Sequence, residues 1–225
     1  MKDVCIVIPV YNERKVIYDV LRNVRKSFPY VVCVDDGSKD GSAEEILRAG
    51  AALVRHPINM GQGAALQTGI EFARNNKKIK YFVTFDADGQ HRIEDVNSML
   101  DVIKKKNVDI VMGSRFLGEA VDMTLTKKVV LKLAIRFSNF TSGIKLTDTH
   151  NGLRVFNRSF AEKIQITMSD MAHASEILEI IRENNFKYTE IPVKIHYTDY
   201  SRSKGQSALN AVNIAFDVLL RRITK

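Results

Sequence analysis

The chain has 225 residues, 45% of them apolar and 27% charged, with a formal net charge of +8. That length suits one domain with a substantial core, the composition excludes a disordered chain, and no apolar run approaches the roughly 20 residues of a membrane-crossing helix. Cys5 and Cys33 lie in apolar, strand-like runs and read as small core residues rather than a disulfide or metal pair. Asp3 comes at once and no basic–apolar–small leader pattern precedes it, so a cytoplasmic protein is expected. Between positions 123 and 163, eight lysines and arginines face only Asp148 and Glu162. Such an excess suits a polyanionic partner: a diphosphate, an anionic membrane surface or nucleic acid. The basic residues lack interleaved exposed aromatics, which speaks against nucleic acid.

Residues 4–10 form an apolar run, read as a strand, and the run closes in Pro9-Val10-Tyr11-Asn12-Glu13. Residues 14–27 carry Val16, Ile17, Val20, Leu21 and Val24 at helical spacing. A second strand at 30–34 ends in the polar loop 35–42, where Ser42 and Glu45 read as a capping box for a helix through Ala49. Residues 52–56 are a third strand. Asn59-Met60-Gly61-Gln62-Gly63 then opens a helix at 64–75, a start whose N–H groups could meet an anion. Residues 81–85, rich in β-branched and aromatic types, form a fourth strand that runs into Asp86-Ala87-Asp88-Gly89-Gln90-His91. Side chains two apart in extended backbone point the same way, so Asp86 and Asp88 are expected to address one point. Two carboxylates there repel unless a cation lies between them. Hard oxygen ligands suit Mg²⁺ or Mn²⁺, whose shell substrate phosphates complete, and Gln90 offers another oxygen nearby.

A helix at 93–105 and a strand at 109–112 follow. Strands separated by helices of roughly 10–15 residues predict βαβ units and a doubly wound, mostly parallel α/β sheet with helices on both faces. Such a sheet puts the loops at 9–13, 35–42 and 86–91 on one edge, where ligands bind. Asp36 is there a candidate acceptor of hydrogen bonds from a base. No Gly-x-Gly-x-x-Gly follows the first strand and no Walker-type lysine motif occurs, which argues against dinucleotide and P-loop sites. Residues 127–140 read as a helix on which Lys128, Lys132 and Arg136 form a cationic ridge, with Val129, Val130, Leu133 and Phe137 packing elsewhere. A helix at 170–184 and a strand at 187–197 come next, then a polar stretch through Ser207. A last helix, 208–222, has a wide apolar face that would pack on the core, on a homodimer partner or in a membrane interface.

Five motifs occur in order: Ile8-Pro9-Val10-Tyr11-Asn12-Glu13, Val34-Asp35-Asp36-Gly37-Ser38, Asn59-Met60-Gly61-Gln62-Gly63-Ala64, Asp86-Ala87-Asp88-Gly89-Gln90-His91 and Gly113-Ser114-Arg115. The set resembles glycosyltransferase family 2 with the GT-A fold, in the branch of dolichyl- or polyprenyl-phosphate mannose synthases and their bacterial relatives. The resemblance implies inverting transfer of a sugar from a UDP- or GDP-linked donor, with a divalent cation as cofactor. It implies that Pro9, Tyr11, Glu13, Asp36, Gly61, Asp86 and Ala87 line the nucleotide and that Asp86, Asp88 and Gln90 hold the metal. Arg115 would approach donor or acceptor phosphates. Asp148-Thr149-His150-Asn151-Gly152-Leu153-Arg154 is similar to the family's Asp-x-x-Ser-Gly-Phe-Arg segment, departing at Asn151 and Leu153, and Asp148, Asn151 and Arg154 would contact the acceptor. Glu176 lies where many members place the acceptor's general base, with Glu179 and Asp170 as alternatives, and His173 nearby is a candidate contact. Arg202 and Lys204 resemble a lid that reaches the diphosphate and excludes water.

The expected organisation is one domain over 1–225: a donor half at 1–115, an acceptor half and lid at 116–207, and an amphipathic helix at 208–225. The expected acceptor is lipid-linked, a polyprenyl phosphate or a polyprenyl-diphosphate glycan used in cell-surface glycoconjugate assembly, and the enzyme would be cytoplasmic or peripheral at the inner membrane face. Two rivals stand beside this reading. One is a sugar nucleotidyltransferase, and the other is a catalytically silent module that binds a nucleotide-sugar or nucleic acid.

Overall fold

The computed structural model describes residues 1–121, 125–168, 172–197 and 200. Strands and helices alternate from the start: β1 (Val4–Val10), α1 (Ile17–Ser27), β2 (Tyr30–Asp35), α2 (Ser42–Arg48), β3 (Ala52–Arg55), α3 (Gln62–Arg74), β4 (Tyr81–Thr84) and α4 (Ile93–Lys106). The chain continues through β5 (Ile110–Val121), α5 (Leu125–Ser142), β6 (Arg154–Asn157), α6 (Arg158–Lys163), α7 (His173–Glu183) and β7 (Tyr188–His196). The strands form one seven-stranded sheet in the order β3-β2-β1-β4-β6-β5-β7. All neighbours are parallel except β6, which runs antiparallel to both β4 and β5.

The two faces of the sheet explain its unbroken apolar strands, since parallel strands covered on both sides need no polar face. On one face Ile6 and Ile8 of β1 pack with Ile17 and Leu21 of α1 and with Val96 and Leu100 of α4. On the other, Val7 packs with Leu66 and Ile70 of α3 and with Ile177 and Leu178 of α7. Phe82, Phe156, Phe160 and Phe186 form a chain of ring contacts with centroids 5.8, 5.2 and 4.8 Å apart. This chain ties β4 to β6, α6 and the approach to β7. Each such buried ring contributes about 1.5–3 kcal/mol through lost water contact.

Four local expectations are corrected. Residues 154–157 were not expected as a strand, yet β6 is wedged into the sheet. The capping box does not form: Gly41, at φ 93°, occupies the N-cap, and the Ser42 hydroxyl donates to Asp40 Oδ1 at 2.6 Å instead. The fourth strand stops at Thr84 and the chain turns through Ala87 and Asp88, so strand alternation is not what brings Asp86 and Asp88 together. On α5, Val129 and Leu133 do not pack but face outward, because Ile135, Ser138, Thr141 and Ser142 form the buried side. The expected helix at 208–222 and the lid residues Arg202 and Lys204 lie outside the described residues.

Candidate active site

The carboxyl ends of β1, β2 and β4 share one edge of the sheet, and their loops are laced together by side chains that the sequence places there. Asn12, at φ 54°, donates its N–H to Ser38 Oγ at 2.9 Å, and its own Oδ1 accepts from Lys39 N at 3.0 Å. The Glu13 N–H donates to Ser42 Oγ at 2.8 Å and the Arg14 N–H to Asp40 Oδ2 at 3.0 Å. Polar loop residues therefore fasten the β1 and β2 loops to each other rather than merely facing solvent. Pro9 is half-buried beside this lacing and Tyr11 is exposed. Glu13 is engaged from the far end of the chain, its Oε2 accepting from the Tyr200 hydroxyl at 2.6 Å.

Asp36 is buried and largely committed. Its Oδ1 accepts from Met60 N at 2.9 Å and lies 2.7 Å from His56 Nδ1, while Oδ2 accepts from Gly61 N at 2.8 Å. A carboxylate offers about four acceptor positions, so one remains, on Oδ2, for a donor such as a base N–H. The Gly61 N–H, expected to meet an anion, is spent on Asp36 and on Asn59 Oδ1 at 3.1 Å. His56, 3.0 Å from Thr68 Oγ1 through Nε2, anchors this arrangement from α3. Sequence reasoning passed over it because a histidine ending a short strand carries no spacing signal. Gly37 is required here: at φ 74°, a Cβ on it would meet Ile58 C at 2.6 Å and Asn59 N at 2.7 Å.

Asp86 and Asp88 sit in the turn after β4. His91 Nε2 lies 2.8 Å from Asp86 Oδ2, and the ring of His91 stands edge-on to Phe85. Gln62 Nε2, at the start of α3, reaches Asp86 Oδ1 at 3.4 Å. Burial alone would raise the Asp86 pKa, but His91, Arg154 and His173 outweigh it and hold the carboxyl below its ordinary range. Asp88 goes the other way, raised by burial and then by the charge of Asp86. Gln90 attends Asp88, its backbone N–H donating to Oδ1 at 3.1 Å and its side-chain amide to Oδ2. Ala87 is buried between them.

No cluster of three or more His, Cys, Asp and Glu groups forms a ready-made metal cage among the described residues. The donor set nonetheless fits a hard divalent cation that needs few protein ligands. Asp88 is raised first by burial and then by the charge of Asp86, and a cation shared by the two would remove that second contribution. Gln90 reaches Asp88 through its amide nitrogen, so as a direct ligand it would have to turn its oxygen inward.

The antiparallel run of β6 brings the loop before it, rather than the loop after it, to this edge. Gly152 lies so close to Asp86 that a Cβ on it would meet Oδ2 at 2.3 Å, and Thr84 Oγ1 donates to the Gly152 carbonyl at 2.6 Å. Glu190 of β7 holds the same loop by accepting from Thr147 N and Asp148 N at 2.8 and 3.0 Å. Asp148 in turn binds Arg115, accepting at Oδ2 from Nε at 2.6 Å and from the backbone N–H at 3.0 Å, while Arg115 Nη1 donates to the Tyr197 hydroxyl at 2.8 Å.

The expected acceptor contacts lie in the loop before β6 and at its first residue. Asp148, Asn151 and Arg154 are no more than 2% exposed, so in this conformation they support the edge from behind. Asn151 Oδ1 accepts from Leu153 N at 2.9 Å, a turn-forming role. Asp148 Oδ1, Thr149 Oγ1, His150 Nε2, Asn151 Nδ2, and Arg154 Nε and Nη1 are buried without a hydrogen-bond partner among the described residues. Unpartnered buried groups cost stability, and such a concentration marks a loop shaped by more than packing. Burial lowers the Arg154 pKa to about 10 against the pull of Asp86 and Asp148, which still leaves it cationic at neutral pH.

His150 yields an acid-stability prediction. Burial, opposed by Asp148 and assisted by Arg115 and Arg154, pushes its pKa down to about 4. The unfolded chain takes up the proton near pH 6.5, so stability is intact above that value and falls as pH drops toward 4. The free-energy equivalent of that difference between the folded and unfolded chain is a loss of about 3 kcal/mol. Urea denaturation at pH 7, 5.5 and 4.5 should show His150→Gln losing about 2 kcal/mol less than the parent by pH 4.5, the rest of the difference falling mostly below that pH. Equal losses in the two proteins would mean that His150 titrates normally.

Glu176 is 3% exposed, and its carboxylate accepts from Thr167 N and Met168 N, both at 2.9 Å, and from Thr167 Oγ1 at 2.6 Å. Glu176 thus clamps the 167–168 segment, and these donors take three of its roughly four acceptor positions, so a part as the acceptor's general base stands as a proposal beside that clamp. Glu176→Gln is therefore expected to cost only about 1 kcal/mol, since the amide oxygen can keep both N–H donors and its NH₂ can donate to the Thr167 hydroxyl, while the charge assistance is lost, with turnover changed only a few-fold. Normal stability with turnover lost a hundredfold would identify Glu176 as the base. Glu179 is half-buried on α7, and Asp170 lies outside the described residues.

The sheet order, the loops gathered at its edge and the helices on both faces make this a GT-A fold. A solved glucosyl-3-phosphoglycerate synthase of Mycobacterium tuberculosis, with Mn²⁺, uridine diphosphate and glucosyl-3-phosphoglycerate, is similar at TM-score 0.70. That likeness covers 96% of this chain and 80% of the other at 14% identity, which bears on the fold alone. A sequence model described as "Glycosyl transferase family 2" matches residues 5–165. The chain belongs to glycosyltransferase family 2 and is a hexosyltransferase. It is 31% identical, over 100% of its length and 98% of the relative's, to a UDP-N-acetylglucosamine–dolichyl-phosphate N-acetylglucosaminyltransferase of Methanococcus voltae. It is 28% identical to a polyprenol monophosphomannose synthase of Mycolicibacterium smegmatis, over 93% of this chain and 82% of that one. These names fall in the branch that the motifs resemble. Membership decides against the nucleotidyltransferase and the silent module.

Proposed function

We propose that the chain moves a hexose, with inversion, from a UDP- or GDP-linked donor to the phosphate of a polyprenyl or dolichyl lipid. The observation that carries the donor half is the Asp86–Asp88 pair, two carboxylates in one turn at the ligand-binding edge of the sheet, the second of them raised by burial and by the first one's charge. A Mg²⁺ or Mn²⁺ ion held by Asp86 and Asp88 would supply neutralising charge to the diphosphate. Asp36 would take a base N–H on its remaining acceptor position, with Pro9 and Tyr11 beside the nucleoside. Arg115, held by Asp148, would present positive charge to the phosphates, and Arg202 and Lys204 are proposed to close over them.

The acceptor half rests on two supports. Relatives that span nearly the whole chain are named for dolichyl or polyprenyl phosphate. A lipid phosphate also arrives already ionised, so no carboxylate need remove a proton, which fits the commitment of Glu176 to Thr167 and Met168. Such an acceptor puts the reaction at a membrane surface, and no described helix is long and apolar enough to cross a membrane.

The test is transfer from radiolabelled UDP- and GDP-sugars to dolichyl phosphate, with Mg²⁺, with Mn²⁺ or with EDTA. Label should enter a solvent-extractable, mild-acid-labile lipid from one donor class, and only with the metal. Label found solely as free sugar or in a water-soluble glycan would overturn the acceptor, and full transfer in EDTA would overturn the metal.

A further inference from the structure

We infer that the outward face of α5 docks on an anionic lipid surface. This helix, Leu125–Ser142, contains no Asp or Glu. Its buried side is built from Ile135 and the small polar residues Ser138, Thr141 and Ser142, and it packs toward α7. Its large apolar residues point the other way: Leu125 is 81% exposed, Val129 57%, Leu133 60% and Phe140 86%. At about 100° per residue these four fall within an arc of roughly 80°. Lys128, Lys132 and Arg136, all exposed, share and flank that arc. A helix that serves only its own domain turns its apolar stripe to the core. Here the stripe is reversed and interleaved with cations, the pattern of a helix lying in a membrane interface.

Charge complementarity selects the occupant. A second copy meeting this face across a two-fold axis would set Lys128, Lys132 and Arg136 against their own equivalents, with no carboxylate on the helix to meet them. An anionic bilayer supplies negative charge along the whole face and an acyl boundary for Leu133 and Phe140. The helix is also fastened to the candidate site. Asn139 Nδ2 donates to the Leu146 carbonyl at 2.7 Å and its Oδ1 accepts from Leu146 N at 3.2 Å. Of the residues that follow, Thr147 bonds Ser114 and Asp148 holds Arg115. A docked α5 thus sets the Arg115 edge at a fixed height above the lipid. The geometry of this face is independent of the proposed activity; its purpose rests on the lipid-acceptor reading.

The experiment is sedimentation with vesicles of phosphatidylcholine alone and of phosphatidylcholine with phosphatidylglycerol. The full chain is compared with Lys128→Gln/Lys132→Gln/Arg136→Gln and with Val129→Ser/Leu133→Ser/Phe140→Ser. The parent should bind the anionic vesicles and release as salt rises, while the charge variant should bind on the order of a hundredfold more weakly at low salt. The apolar variant should lose the binding that survives high salt. Transfer to a water-soluble, short-chain polyprenyl phosphate should be equal in all three, so vesicle binding without any transfer would fault the proposed activity and leave the docking face standing. Equal vesicle binding by all three proteins would overturn the inference. So would a parent dimer that the variants dissolve, or a clear fall in melting temperature of the apolar variant, which would show this face to be covered by protein.

Discussion

Asp88→Asn is expected to lower sugar transfer on the order of a thousandfold while leaving the metal-free protein as stable as the parent or slightly more so. The two halves of that expectation have one origin. Asp88 titrates high because it is buried and because Asp86 repels its charge, so neutralising it removes a repulsion from the free protein. Its Oδ1, which accepts from Gln90 N, survives as an amide oxygen in the variant. The proposed cation, however, loses one of its two carboxylates. Metal-assisted charge stabilisation is worth several kcal/mol, and about 1.4 kcal/mol is a factor of ten in rate. Melting curves with and without Mn²⁺ and UDP separate the halves: ligand should stabilise the parent strongly, by binding only the folded state, and the variant hardly at all. If the variant keeps parental activity, or gains the same stabilisation from Mn²⁺ and UDP, the metal assignment fails.

The donor side of the fold was legible because its signals are local. The apolar runs of β1, β2 and β4 and the Asp- and Gly-bearing loops after them each announce themselves within a few residues. A parallel sheet then sends all three loops to one edge without further information. What sequence could not supply was pairing across distance. Arg154-Val155-Phe156-Asn157 is too short to read as a strand, and its antiparallel place between β4 and β5 depends on contacts with Thr84 and Met112 far along the chain. Asp148 and Arg154 entered as acceptor contacts through the resemblance of their segment, and with β6 unread nothing in the sequence showed that they are buried. The α5 helix failed differently. Its period was clear, but period does not say which face turns inward, and the small polar residues Ser138, Thr141 and Ser142 won the buried side over Leu133 and Phe140. Glu176 was placed by analogy along the chain, and nothing in its local pattern foretold Thr167 and Met168 as donors.

Arg154 carries the second large expectation. It is 1% exposed at the head of β6, cationic between Asp86 and Asp148, with Nε and Nη1 unpartnered among the described residues. Replacing it with methionine keeps most of the buried volume but leaves Asp86 with less compensation, and breaking a buried charge arrangement from one side costs about 3 kcal/mol or more. Arg154→Met should therefore lower the metal-free unfolding free energy by about that amount at pH 7. The decisive variant is the double one. If the cost is an uncompensated carboxylate, Asp86→Asn in the Arg154→Met background should be less harmful than Asp86→Asn alone, by at least about 1 kcal/mol in a double-mutant cycle. Desolvation argues the other way, since a guanidinium with two unpartnered buried atoms is costly to keep. The surroundings favour the carboxylate: Asp148 retains Arg115 at 2.6 Å, whereas Asp86 is held down by His91 and then by Arg154. Strict additivity in the cycle, or an Arg154→Met protein more stable than the parent, would show that desolvation prevails and that the buried cation is kept for its effect on bound phosphate rather than on Asp86.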